Sequence, residues 1–289
     1  MQKVLKSICC FMIACGLFFG STASASETLN FGIIPLVNQD VMLQQFLPLA
    51  KYLSQEIGME VKLHVGQNYQ DTMDAIGTNK VQIAYLTPTT FPKSAVQNPN
   101  AGVKPLVRFL KKGTGTYRSC VIAPIDSDIE TLADLKGKKF AFGNKNSTSS
   151  HLMPRSILAG AGIQFEDIQA EYLGSHSKVA KAVGGEQFSG GGVKESVAQK
   201  FAKYGQVKII ATSDPIPQFP ICINNNVSPE LEVKLLSAFE KLNDGSDTSK
   251  TILTTISKKF TGTEKTTSID YDVIRTMISN LYGDSFYER

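Results

Sequence analysis

Apolar runs of strand length alternate with stretches of helical spacing along almost the whole chain, and few folds accept that order. Residues 29–34 read as a strand that stops at Pro35. Met42, Phe46, Leu49, Leu53 and Ile57 then recur every three or four positions, with Gly58 as the end signal and Pro48 predicting a kink. A strand at 61–65, a helix through Tyr69, Met73 and Ile76, a strand at 81–86, a break at Thr87-Pro88, a short helix near 91–96 and a strand at 103–110 follow. Strands separated by helices predict a parallel sheet covered by those helices. After the link 111–115 the alternation restarts, with strands at 119–123, 139–143, 170–173 and 207–212. Behind 216–220 come one more strand and helices at 229–241 and 270–282, the last patterned by Tyr271, Ile274, Met277, Ile278 and Leu281. The expected architecture is therefore α/β: two lobes, each a mainly parallel sheet flanked by helices, joined by crossings near 112–118 and 213–222. The first lobe takes 26–115, the second 116–221, and 222–289 returns to the first.

The start of the chain sets the compartment. Lys3 and Lys6 precede an almost wholly apolar run at 8–19, and Ala23-Ser24-Ala25 has the small residues of a cleavage site. This is the pattern of a secretory signal peptide over residues 1–25, and the run is short of the roughly 20 residues that span a bilayer. A periplasmic location is expected, with a lipid anchor on Cys15 as the lesser alternative. Cleavage leaves 28 basic against 26 acidic side chains with no long like-charge run, so nothing argues for a nucleic-acid partner. Of the five cysteines only Cys120 and Cys222 remain, in strand-like stretches. They permit one disulfide, or two buried thiols acting as small hydrophobes.

The sharpest local feature is 144–150, Asn-Lys-Asn-Ser-Thr-Ser-Ser, between an apolar strand and a helix. The first turn of a helix leaves backbone N–H groups unpaired at the positive end of its dipole, where an anion docks. Ser147, Thr148 and Ser149 add hydroxyl donors. Ordinary N-capping, which needs only one such hydroxyl, is the competing reading.

Several segments share their order and intervals with a known family: 134–138 (Asp-Leu-Lys-Gly-Lys), Ser147-Thr148-Ser149, Pro154-Arg155, Gly174-Ser175-His176, 31–35, 48–53 and 216–220. Together they resemble the phosphate/phosphite/phosphonate-binding family of ABC-importer solute-binding proteins. The resemblance implies a type II periplasmic binding protein, two lobes closing on a small oxyanion in the cleft between them, and a permease and an ATPase as partners, with no cofactor and a monomeric state. A ligand-binding partner of a membrane sensor kinase is the alternative. Carried over, Ser147, Thr148 and Ser149 hold the oxyanion and His176 donates to it. Thr89, Thr90 and Phe91 after Pro88 form the opposing wall, with Phe91 where the family commonly has tyrosine. Asn38 lies at the other cleft edge, or simply caps the helix that follows. The main departure is 188–195, Phe-Ser-Gly-Gly-Gly-Val-Lys-Glu: three glycines weaken a strand but suit close backbone approach. Lys194 stands where a neutral or acidic residue is usual, with Glu195 adjacent.

Enzyme constellations are absent from the sequence: there is no Gly-x-Ser-x-Gly elbow, no His-Glu-x-x-His, no Cys-x-x-Cys and no Walker loop. His64, His151 and His176 have no metal-ligand spacing, so no metal and no catalysis are expected.

Overall fold

The computed structural model describes residues 28–288; the leader segment, Cys15 included, lies outside the described residues. In chain order the elements are β1 (Thr28–Ile33), α1 (Gln39–Ile57), β2 (Glu60–Val65), α2 (Tyr69–Gly77), β3 (Ile83–Tyr85), α3 (Thr90–Gln97) and β4 (Lys104–Lys111). There follow β5 (Thr116–Tyr117), β6 (Ser119–Pro124), β7 (Lys139–Phe142), α4 (Met153–Gly160), β8 (Gln169–Tyr172), α5 (His176–Gly184), β9 (Gly190–Lys194), α6 (Glu195–Lys203) and β10 (Val207–Thr212). The chain ends with β11 (Ile216–Pro217), β12 (Pro220–Ile223), α7 (Pro229–Lys241), α8 (Asp247–Ile256), β13 (Phe260–Lys265) and α9 (Asp272–Tyr282).

Two sheets form, in the orders β13-β4-β12-β3-β1-β2 and β10-β6-β9-β7-β8. They are mixed, not mainly parallel. Parallel pairing joins β1 to β2 and β3, and β7 to β8 and β9, where helical crossovers return each strand in the same sense. β12 and β13 re-enter the first sheet antiparallel, as β6 and β10 do in the second. Between the lobes, β5 and β11 pair antiparallel as a two-stranded hinge, one strand from each crossing.

The first core forms around α1, whose buried Met42, Phe46, Leu49, Leu53 and Ile57 are the residues of its helical spacing. The helix runs through Pro48 and ends on Gly58 at φ 72°, a left-handed conformation that glycine adopts without the Cβ penalty. Phe31, Phe46, Tyr85 and Phe109 make a chain of ring contacts at 6.0, 5.1 and 5.9 Å, each ring contributing ~1.5–3 kcal/mol by burial. Helices α7 and α8 extend this core through Leu235, Phe239, Ile252 and Leu253. Helix α9 buries Ile274 and Ile278 with Leu152, next to α4.

The second sheet is covered on both faces, by Val179, Val183, Ala198 and Phe201 on one side and by Leu158, Ile163 and Ile168 on the other. Its central β9 explains the three glycines. A Cβ at Gly190 would stand 2.6 Å from Leu135, one at Gly191 2.6 Å from Val179, and one at Gly192 2.3 Å from Pro154. The strand carries glycines because Leu135, α5 and α4 approach it too closely for any side chain. Cys120 on β6 and Cys222 on β12 lie in different sheets as free, buried thiols, so the possible disulfide is not made.

Candidate functional site

The loop after β7 turns into α4 through a single π turn, Thr148–Leu152, capped by Ser147, whose Oγ accepts from the Ser150 amide at 3.2 Å. Capping uses only this one hydroxyl. The turn is anchored from below: Ser150 Oγ donates to the Gly192 carbonyl at 2.6 Å and Ser119 Oγ donates to the Ser149 carbonyl at 2.8 Å. Thr148 and Ser149 are 1 % exposed and sit where the two lobes meet.

From the first lobe, the loop between β3 and α3 faces this turn. The Thr89 amide donates to Thr148 Oγ1 at 3.0 Å, and the Thr89 and Thr148 hydroxyls lie 2.8 Å apart. Thr87 Oγ1 donates to the Asn146 carbonyl at 3.4 Å. An oxyanion can replace these pairings by accepting from both threonines at once. Thr90 is occupied locally, its Oγ1 accepting from the Thr87 amide at 2.8 Å. Phe91 belongs to the core, 1 % exposed and edge-on to Tyr271 at 5.3 Å. Asn38 is exposed and caps α1, accepting from the Asp40 amide at 2.8 Å. It also borders a cleft of about 380 Å³ lined from both lobes, by Val37, Gln67 and Tyr69 on one side and Asn144 and Gly174 on the other.

His176 opens α5, and its Nδ1 accepts from the Lys194 amide at 3.0 Å. That bond sets the tautomer, with the proton on Nε2 free to be donated. Burial, reinforced by the Lys194 ammonium, lowers the imidazole pKa to about 3, so His176 is a neutral donor. Lys194 is partly buried at the end of β9, its Nζ 4.7 Å from the centroid of Tyr117 and 4.9 Å from that of Phe219. Burial first, then Lys111 and Lys259, brings its pKa down to about 8.

The hinge adds two groups that sequence reasoning missed. Tyr117 Oη, on β5, and Gln218 Nε2, just after β11, are buried without a hydrogen-bond partner among the described residues. The Ser149 and Thr148 side chains lie close enough to the Tyr117 phenol to act on it, though no hydrogen bond of normal geometry forms. Unsatisfied buried polar atoms are rare enough to mark a site. Their only sequence signals were their places in the two crossings, beside Gly115 and inside 216–220. Another groove, about 420 Å³ between α7 and β13, is lined by Glu240, Glu264 and Lys265. Among the described residues, no cluster of three His, Cys, Asp or Glu side chains is placed to hold a metal.

Hydroxyl and amide groups of the two lobes thus meet at the junction, and Lys194, whose amide holds the His176 ring, lays its ammonium over Tyr117 of the hinge strand. Over residues 31–271 the chain matches the family described as the periplasmic substrate-binding protein of phosphonate ABC transporters. The chain belongs to this family. It is similar to the probable phosphite-binding protein PhnD1 of Prochlorococcus marinus, 28% identical over 65% of this chain and 66% of that protein. It is similar also to the phosphate-import protein PhnD of Mycolicibacterium smegmatis, 25% identical over 82% of this chain and 81% of that one. Among solved structures, the binding component of a phosphonate ABC transporter from Pseudomonas aeruginosa superposes with a TM-score of 0.75 at 25% identity, covering 87% of this chain and 85% of that one. The fold is that of type II periplasmic binding proteins. Family members act outside the cytoplasmic membrane as the substrate-binding component of an importer. Among the described residues no helix is long and apolar enough to cross a membrane.

Proposed function

We propose that this chain captures a small phosphorus oxyanion, of the phosphate, phosphite or simple phosphonate kind, between its lobes and presents it to an ABC permease and its ATPase. In this reading it is an exported monomer that performs no chemistry on its cargo. The observation that carries the proposal is a junction rich in groups able to donate a hydrogen bond and lacking a carboxylate. Thr89, Thr148, Ser149, Tyr117, His176, Gln218 and Lys194 offer hydroxyl, phenol, imidazole, amide and ammonium donors, with no carboxylate among them. A tetrahedral anion with three acceptor oxygens satisfies such a set, and charge-assisted bonds of this kind are about twice as strong as neutral ones.

The test is a thermal-shift and calorimetric panel of phosphate, phosphite, methylphosphonate, sulfate and acetate. A specific binder gains stability as RT ln(1 + [L]/Kd). At least one phosphorus oxyanion should raise the Tm and bind at one site per chain, with the ligand recovered unchanged. A panel in which none of the three phosphorus oxyanions binds would defeat the reading.

A further inference from the structure

We propose that Lys194 is a resident ammonium that fills the aromatic pocket at the hinge and so restricts the site to oxyanions that carry no amine. The inference rests on the oxyanion reading above and adds the substrate class.

Its basis is the surroundings of one side chain. Lys194 Nζ lies over the faces of Tyr117 and Phe219, whose rings are 5.4 Å apart, in the arrangement by which aromatic rings hold a cation. Nζ forms no hydrogen bond or ion pair with any described residue, so this aromatic contact is what the ammonium has. The same phenol ring carries Tyr117 Oη, which Ser149 and Thr148 lie close enough to influence. An oxyanion on the serine-threonine turn therefore lies within one phenol ring of a place already holding a positive charge, and an amine carried on it can come close to that charge.

The neighbouring charges deepen the effect. Lys111 and Lys259 lie close enough to depress the Lys194 ammonium further, so the pocket is already short of negative charge. Glu195, the one acid adjacent in sequence, is engaged by Lys111 at 3.6 Å and is not free to receive a ligand ammonium. A second ammonium entering this region would meet like charge at reduced dielectric, whereas a methyl or hydrogen substituent would not.

The experiment compares ethylphosphonate with aminomethylphosphonate, which have the same number of heavy atoms and differ in a methyl against an ammonium. Calorimetry on the wild-type chain should show ethylphosphonate bound more tightly by about tenfold or more, a ratio set by charge because size is held fixed. In Lys194→Met, which keeps the apolar stem and removes the charge, the ratio should collapse toward one. Equal affinities in the wild type, or a preference for the amine, overturn the proposal without any variant. A preference that persists unchanged in Lys194→Met overturns it as well. Methylphosphonate, phosphite and phosphate serve as the arm for the underlying reading: if none binds the wild type, the oxyanion site itself fails, whereas their binding with indifferent discrimination of the amine sinks only the role of Lys194.

Discussion

Thr148 links the two lobes directly: its hydroxyl takes the Thr89 amide and faces the Thr89 hydroxyl. Thr148→Ala should weaken oxyanion binding by roughly 1.5–3 kcal/mol, typical of a bond to a charged group, and a calorimetric titration with unchanged affinity would count against the site. Tyr117→Phe separates binding from stability. Its phenol is buried and unpaired, so removing the oxygen should leave the Tm of the ligand-free protein unchanged or raised while binding weakens. A large loss of Tm would show that the phenol is satisfied within the fold. His151 gives a pH prediction. It is 3 % exposed, its ring lies between the Lys145 carbonyl on Nδ1 and the Tyr172 and Tyr282 phenols on Nε2, and burial lowers its pKa from 6.5 to about 4. Between those pH values the unfolded chain binds the proton and the folded one does not, so the stability, fully present above 6.5, declines as pH falls toward 4. The loss amounts to roughly 3 kcal/mol when complete. Tm measured against pH should fall less steeply across this window in His151→Gln, with His176 supplying the residual slope.

At the scale of elements, periodicity made α1 and α2 legible, because each carries its buried residues at helical spacing, while β6 was legible as a short continuous apolar run, buried at every position. Strand sense in the returning segments was not legible, because it depends on which edge each strand joins and no local spacing encodes that. The glycine run of β9 was legible as a place of close approach, although the neighbours that approach it, Leu135, Val179 and Pro154, were not. Gly192→Ala should drive a Cβ into Pro154, at the start of α4, and displace the turn that this helix carries. Overpacking of this kind costs about 1–3 kcal/mol. Chemical denaturation should register that loss, accompanied by weaker oxyanion binding; full retention of both would mean that α4 yields freely. The placement of the candidate residues was legible in part: Thr148 and Thr89 touch across the junction with Ser147 and Ser149 in the same turn, while Phe91 packs in the core and Asn38 caps α1 at the edge of the cleft. Tyr117 and Gln218 escaped notice because a lone tyrosine or glutamine carries no pattern, and only burial without a partner reveals it.

For the whole molecule, the decisive arrangement is a thin hinge beside a polar seam. The lobes are joined through the two-stranded β5–β11 pair, and across the mouth they touch through the Thr89–Thr148 and Thr87–Asn146 hydrogen bonds. Helix α9 adds a contact to the second lobe through Ile274 and Ile278 on Leu152 and the Tyr282 phenol on His151. Opening about the hinge must part the hydroxyl bonds, each a modest net contribution of about 0.5–1.5 kcal/mol, so the seam alone holds closure weakly. An oxyanion accepting from both walls adds charge-assisted bonds that exist only when the lobes are together, and it shifts the population toward the closed form by that difference in affinity. Small-angle scattering should therefore show a smaller radius of gyration at saturating methylphosphonate than without it. The Thr89→Ala/Thr148→Ala double variant should compact less at the same ligand occupancy, because it lacks a donor on each wall. A radius unchanged by saturation in the wild type would mean that the lobes do not move on capture, and the seam would then be a fixed interface.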